Sequence, residues 1–120
     1  MIHHVSVGVS DIEASGRFYD AVLGSLGWRR QIEGDEVLAW GIVRPVFFIS
    51  ARNGTAAGAG HVCFSSSGIS GVKGAWEGGI REGGTDDGAP GQRPEYGGGY
   101  YSAYLLDPDG NRVEIAVGSD

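Results

Sequence analysis

An internal repeat constrains the fold of this chain more than any other feature. The segment that begins at His4 is echoed by the segment that begins at His61, and the coincidences fall at landmarks: a strand start, a helix cap, a helix core and a closing glycine. The identical pairs are His4 with His61, Val5 with Val62, Ser10 with Ser67, Ile12 with Ile69, and Gly27 with Gly84. A repeat of this length predicts two copies of one supersecondary unit.

The first copy indicates the order β-α-β-β-β. An alternating strand is followed by a helix over residues 11–24, for which Ser10 or Asp11 provides the N-cap. Gly27 is expected to end that helical segment. The predicted strands of this copy cover residues 2–10, 28–33, 36–42 and 45–50.

The second copy contains a long segment, Thr85 to Gly99, that is rich in glycine and proline and is predicted to be a loop. A strand over 100–106, a turn over 107–111 and a strand over 112–117 follow it. We therefore expect a single α+β domain over residues 1–120. It would comprise module one (1–52), a linker (53–60) and module two (61–120).

Composition excludes several classes of function. The 120-residue chain has a formal net charge of −6, which opposes binding to nucleic acid or to an anionic membrane surface. No apolar run is long enough to span a bilayer, and no leader segment is recognised at the N-terminus. The single cysteine, Cys63, cannot form an internal disulfide, so the expected location is the cytoplasm.

Three predicted strands share one design. Alternation places valines, isoleucine and phenylalanine on one face of each strand, where helices can pack. The opposite face carries one side chain able to bind a metal among small or polar neighbours. These second faces are His4, Ser6 and Gly8 in the first strand, His61, Cys63 and Ser65 in the fifth, and Arg112, Glu114 and Ala116 in the last.

If those faces converge, His4, His61 and Glu114 would hold one divalent ion: Zn, Ni, Mn or Fe. Two imidazoles and one carboxylate suit these ions and leave coordination positions open. Each histidine alone is more often an ordinary strand residue. Their equivalent positions in the repeat, together with a carboxylate in an apolar strand, favour the metal site.

Residues around the long predicted loop are candidates for the substrate site. We expect Tyr101 to act with Glu114 in catalysis, because a phenol can donate to an oxyanion. The expected substrate-binding residues are Tyr96, Tyr100, Phe48 and Arg93. The alternatives are loop anchoring or core packing for the aromatic residues, and a solvated surface position for the arginine.

The sequence resembles the vicinal oxygen chelate superfamily, which includes glyoxalase I, fosfomycin-resistance proteins, bleomycin-binding proteins and extradiol dioxygenases. The resemblance spans nearly the whole chain, and its most specific part is the closing Asp-Pro-Asp-Gly-Asn-x-x-Glu. The residues that carry it are 2–11, Phe18, Tyr19, Leu23, Gly27, 60–62 and 101–114.

The resemblance implies a cupped, mixed-sheet half-barrel built from two βαβββ modules, with the family's metal ligands at His4, His61 and Glu114. It also implies a homodimer acting on a small molecule. Glyoxalase I has a further carboxylate at the end of its first module, whereas residues 44–50 contain none. This departure brings the chain closer to the fosfomycin-resistance and extradiol dioxygenase branches.

Three functional hypotheses follow. The leading one is a divalent-metal-dependent, glyoxalase-like enzyme that acts on an oxygen-bearing substrate by Lewis-acid catalysis, of the lyase, transferase or extradiol dioxygenase type. The second is a non-catalytic, bleomycin-resistance-like protein that binds a small molecule or an antibiotic without metal. The third is a degenerate structural module whose own side chains fill the pocket.

Overall fold

The computed structural model describes residues 2–52 and 57–118 and confirms the two βαβββ modules. Residues 53–56 of the predicted linker lie outside the described residues. The elements are β1 Val5–Gly8, α1 Ile12–Gly24, β2 Arg29–Glu33, β3 Val37–Gly41, β4 Phe47–Ser50, β5 His61–Ser65, α2 Ile69–Arg81, β6 Thr85–Gln92, a 3-10 turn Pro94–Tyr96, β7 Tyr101–Leu106 and β8 Arg112–Val117.

Each module forms its own four-stranded mixed sheet, which confirms the predicted α+β class. The N-terminal sheet has the order β1-β4-β3-β2, and the C-terminal sheet has the matching order β5-β8-β7-β6. The pairs β1–β4 and β5–β8 are parallel, and the remaining pairs are antiparallel. The strands that begin the two modules, β1 and β5, are therefore edge strands.

The first helix begins where the capping signal predicts. Asp11 is the N-cap, and its carboxylate accepts hydrogen bonds from the backbone amides of Glu13 and Ala14, both at 3.1 Å. A side-chain acceptor at this position stabilises the first turn of a helix. Gly27, with φ of 86°, takes the left-handed conformation that follows the end of α1.

The segment Thr85–Gly99 is not the loop that the sequence predicts. Its first part is β6, an edge strand paired with β7 through two register shifts, one between Asp86 and Gly88 and one between Gly88 and Gly91. Glycine and proline are typical of loops, but bulges and the outer side of an edge strand also accommodate them. The loop prediction is therefore wrong for β6, because backbone hydrogen bonds to β7 outweigh the low strand preference of its residues.

One hydrophobic core joins the two modules. The helices pack against each other and against the apolar faces of their own sheets. Phe47 of the N-terminal sheet meets Phe64 of the C-terminal sheet edge to face, with ring centroids 5.0 Å apart. In the described part of the chain, no helix has the length and hydropathy needed to cross a membrane.

A buried polar clasp also connects the modules. Asp107, in the turn before β8, accepts a hydrogen bond from the Tyr19 hydroxyl of α1 at 2.7 Å. The Asn111 side chain donates to the Gly8 carbonyl at 2.9 Å and accepts from the Gly60 amide at 2.8 Å. The closing sequence motif is thus a structural device that holds the end of β1 beside the start of β5.

Glycine at position 79 is required by packing. A Cβ there would lie 2.6 Å from Leu105, 3.0 Å from Val22 and 3.2 Å from Phe18, whereas one at Gly24 would meet nothing within 4 Å. We expect Gly79→Ala to lower the free energy of unfolding by about 1–3 kcal/mol through overpacking. Gly24→Ala should leave it unchanged or raise it by up to about 1 kcal/mol. Urea denaturation of both variants tests this contrast.

Candidate functional site

The face of the C-terminal sheet that the helices leave uncovered brings functional side chains together. Cys63 of β5, Glu114 of β8 and Tyr104 of β7 are in register across three neighbouring strands. Because side chains alternate along a strand, His61 stands on this same face, one pleat away from Cys63. We refer to this surface as the carboxylate face, after Glu114.

Glu114 is the centre of the carboxylate face. It is only 8% exposed. Its Oε1 atom lies 3.7 Å from His61 Nε2, and its Oε2 atom accepts a 2.7 Å hydrogen bond from the Tyr100 hydroxyl. Within the residues that the structure describes, His61 is the sole basic group within 4.0 Å of this carboxylate. A buried carboxylate without a lysine or arginine partner is costly unless a ligand uses it.

The neighbouring hydroxyl and thiol groups are held in their neutral forms. The hydrogen bond to Glu114, with a smaller contribution from burial, raises the pKa of Tyr100 above its ordinary value. Burial, and then the nearby Glu114 carboxylate, does the same to the pKa of Tyr104. Burial and the Glu114 charge raise the pKa of the Cys63 thiol to about 11. The carboxylate is therefore surrounded by proton donors.

Tyr101 does not reach the carboxylate. It lies on the opposite, apolar face of β7, paired with Val117 and 9% exposed in the hydrophobic core. Alternation explains the placement, because Tyr101 shares the face of Ala103 and Leu105, which pack against the helices. The tyrosine that contacts Glu114 is Tyr100, one residue earlier, which the sequence placed among the substrate-binding candidates.

Tyr96 and Arg93 lie at the margin of the carboxylate face. Tyr96 is 59% exposed, and its ring meets that of Tyr100 edge to face at 5.6 Å. The Arg93 guanidinium donates to the Ser102 hydroxyl and carbonyl and to the Ala89 carbonyl, which ties β6 to β7. These hydrogen bonds occupy much of the capacity of the Arg93 guanidinium to donate, which the sequence analysis assigned to substrate binding.

His4 belongs to the other sheet. It is exposed at the start of β1, with its ring centroid 5.1 Å from that of Phe48 and its Nδ1 atom 3.0 Å from His3 Nδ1. Across residues 2–52 and 57–118, no three histidine, cysteine, aspartate or glutamate side chains form a group that could hold a metal ion. One chain thus brings together His61 and Glu114 but not His4.

Phe48 occupies the position in the N-terminal sheet that Glu114 occupies in the C-terminal one. Phe48 pairs with Ser6 on the parallel strand, as Glu114 pairs with Cys63. Both modules therefore carry a histidine at the equivalent position, whereas only the second module carries the carboxylate. The register shows that the carboxylate missing from residues 44–50 is replaced by an aromatic ring.

Tyr104 and Arg52 were not among the sequence candidates. Alternation over β7 would have placed Tyr104 on the Glu114 face, so this residue could have been found from the sequence. Arg52 lines a cavity beside Phe48 on the N-terminal sheet. No pattern in the sequence predicts that position, because Arg52 follows the end of β4.

The comparisons with known proteins agree with this architecture. A family model described as the Glyoxalase/Bleomycin resistance protein/Dioxygenase superfamily matches residues 1–115. The chain belongs to this glyoxalase superfamily. The resemblance noted in the sequence is confirmed. A search of proteins with curated functions found no match to the chain.

Solved structures include a glyoxalase/bleomycin resistance protein from Albidiferax ferrireducens T118, which is 34% identical with a TM-score of 0.86 over 96% of this chain and 97% of that one. A glyoxalase-related enzyme from Fulvimarina pelagi is 23% identical, with a TM-score of 0.76 and coverage of 98% and 88%. Lactoylglutathione lyase from Agrobacterium tumefaciens is 21% identical, with a TM-score of 0.71 and coverage of 98% and 93%. The last two similarities establish the glyoxalase-like fold alone.

Proposed function

We propose that this glyoxalase-superfamily protein is a divalent-metal-dependent enzyme that acts on a small oxygen-bearing substrate. The observation that carries the proposal is the buried Glu114 carboxylate, which faces His61 at 3.7 Å and is oriented by Tyr100 at 2.7 Å. Imidazole and carboxylate are donors that Zn, Ni, Mn and Fe(II) accept. His61 and Glu114 therefore fit two positions around such an ion.

We propose that the third donor, His4, comes from a second copy of the chain. One copy holds two donors on its C-terminal sheet and one at the start of its N-terminal sheet, and among the described residues these three do not form a group that could hold a metal ion. A symmetric homodimer would bring each N-terminal sheet against a C-terminal sheet and so complete two equivalent sites. Both histidines are exposed, so their imidazoles are accessible to a second copy.

When bound, a divalent ion would supply Lewis-acid stabilisation of negative charge on a substrate oxygen. The residues of the chain position the metal ligand and donate hydrogen bonds to the substrate. Tyr100 fixes the carboxylate of Glu114 through one oxygen and leaves the other directed toward His61. Tyr104, whose raised pKa keeps its hydroxyl protonated, offers a donor on the same face.

The reaction type is narrowed by Phe48. A second carboxylate at its position would provide a base for the proton transfers of a glyoxalase I type isomerisation, and an aromatic ring cannot do so. We therefore propose an enzyme of the transferase or extradiol dioxygenase type, or a lyase whose catalytic base is a residue other than one at position 48. Lactoylglutathione lyase is the name of the protein from Agrobacterium tumefaciens, which is 21% identical to this chain. We do not transfer that activity to this chain.

The composite site can be tested by mixing two inactive variants. His4→Ala and Glu114→Gln chains, each alone, should bind no metal with high affinity. After they are unfolded together and refolded, roughly a quarter of the sites should recover, because half of the dimers are mixed and each of these contains one intact site. Isothermal titration with Zn²⁺ and Mn²⁺ measures the recovery. If the refolded mixture binds no more metal than the separate variants, the sites are not shared between two copies.

A second candidate function is metal-free binding of a small molecule, of the bleomycin-resistance kind. It is favoured by the incomplete donor set within one chain and by the aromatic ring at position 48. Gently purified wild-type protein that contains no ion, and that binds none on titration, would support this candidate. Retention of ligand binding in His4→Ala would support it further.

Tyr100 is expected to be a positioning residue for the metal ligand. Tyr100→Phe removes the 2.7 Å hydrogen bond to Glu114 and leaves the ring in place. Loss of a group that orients a ligand typically weakens metal binding about 10- to 100-fold. Tyr96→Phe, in the adjacent ring without a bond to Glu114, is the matched control and should bind metal like wild type. Equal affinities for all three proteins would exclude the role.

A further inference from the structure

A cavity of about 450 Å³ lies on the uncovered face of the N-terminal sheet. Its apolar wall consists of Ile32, Val37 and Phe48, and Arg52 stands at its margin. The volume is within the range of about 300–1,000 Å³ that is usual for small-molecule sites. His4 also lines this cavity, so it adjoins the site of the proposed function.

The register of the two sheets explains why the space is on this sheet. Phe48 stands between Ser6 and Ala39, whose side chains are small. In the C-terminal sheet the corresponding row is Cys63, Glu114 and Tyr104, and the Tyr104 ring takes the place that Ala39 leaves open. The N-terminal sheet therefore has room for the body of a ligand, and the C-terminal sheet holds the polar groups.

Arg52 gives the cavity a charge that its surroundings do not neutralise. In the described part of the chain, the salt bridges of arginine are those of Arg30, Arg81 and Arg112, and no carboxylate lies within 4.0 Å of the Arg52 guanidinium. Guanidinium groups bind oxyanions through paired hydrogen bonds.

We propose that this cavity binds a small organic anion with an apolar body, the body lying on Phe48, Val37 and Ile32 and the oxyanion at Arg52. The anion is the part of the substrate that does not react, and its role as substrate rests on the proposed function. The metal would be held by His4 of the same sheet together with His61 and Glu114 of the second copy. The apolar body is recognised by the N-terminal sheet, and the reacting oxygens face His61 and Glu114.

The test compares phenylacetate with phenylacetamide, which share a ring and differ in charge. Isothermal titration is performed on wild-type protein in the presence of EDTA, so that coordination of the carboxylate to a metal cannot contribute. We expect phenylacetate to bind about tenfold more tightly, as a hydrogen-bonded charge typically provides. Arg52→Gln should abolish this preference. Arg17→Gln, an exposed arginine of α1 that does not line the cavity, should retain it.

Two further readouts separate this inference from the proposed function. Phe48→Ala should weaken the binding of both ligands, because both place a ring on that side chain. Metal titration of Arg52→Gln should match wild type. If wild type binds the two ligands equally, binds neither, or keeps its preference in Arg52→Gln, the anion site is refuted. If wild type binds no metal but discriminates between the ligands, the proposed enzyme function fails and the anion site remains.

Discussion

Replacing Glu114 with glutamine is expected to lower the affinity for Zn²⁺ or Mn²⁺ by more than about a hundredfold, beyond the usual effect of losing a group that only orients a ligand. The substitution keeps the shape of the side chain and its capacity to accept the Tyr100 hydrogen bond. It removes the negative charge, which contributes most to holding a cation. Isothermal titration measures the change.

The metal-free stability of Glu114→Gln separates a ligand from a structural residue. Because a buried carboxylate without a strong cation partner is costly, the free energy of unfolding should stay the same or rise slightly. Glu77→Gln, on the exposed side of α2, is the matched control and should change neither property. If Glu114→Gln binds metal like wild type, Glu114 is not a ligand. If the variant is much less stable without metal, the side chain has a structural role, and weaker metal binding can be attributed to ligand loss only in the folded fraction.

Replacing Asp107 with alanine is expected to lower the free energy of unfolding by about 3 kcal/mol or more, since each stranded buried donor costs roughly 1–3 kcal/mol. Asp107 is 3% exposed and accepts four hydrogen bonds: from the Tyr19 hydroxyl, the Asp109 amide, and the Asn111 amide and side chain. This loss is a large fraction of the roughly 5–15 kcal/mol that stabilises a typical domain. Urea denaturation monitored by tryptophan fluorescence measures it.

The control for the clasp is Asp109→Ala in the same turn. Asp109 accepts the Ser10 amide at 3.0 Å and 3.1 Å through its two oxygens, and the buried Ser15 hydroxyl only at 3.5 Å, so its loss should cost about 1–2 kcal/mol, less than the loss of Asp107. Asp107→Ala should also weaken metal binding only indirectly, by lowering the fraction folded. If the two variants are equally stable, the closing motif does not act through burial of Asp107.

The arrangement of elements could be predicted because local patterns and tertiary structure agree. The repeat placed His4 and His61 at equivalent strand starts, and alternation assigned the two faces of β1, β5 and β8 correctly. Proximity to the predicted loop does not distinguish the tyrosines near the start of β7, because neighbouring residues of a strand point to opposite faces. Applied strictly, alternation assigns Tyr101 to the core and Tyr104 to the face of Glu114.

Strand β6 illustrates the limit of local signals. After Thr85, its sequence Asp-Asp-Gly-Ala-Pro-Gly-Gln has low β-propensity. It becomes a strand because β7 offers unpaired backbone groups along its edge, and the bulges around Gly88 absorb the misfit. Hydrogen bonds to a distant segment are not encoded in the composition of the segment itself.

The amino-acid sequence was sufficient to establish the two-module design and the residue types able to bind a metal, and its resemblance to a known family implied the mixed sheets. These properties depend on periodicity and on side-chain chemistry, which are local. The fold was needed to establish that His61 and Glu114 lie together, that His4 forms no three-donor group with them among the described residues, that Phe48 stands at the position of the missing carboxylate, and that Arg52 lines a cavity. Those outcomes depend on strand register and on how two sheets pack, and both are set by contacts between residues far apart in the chain.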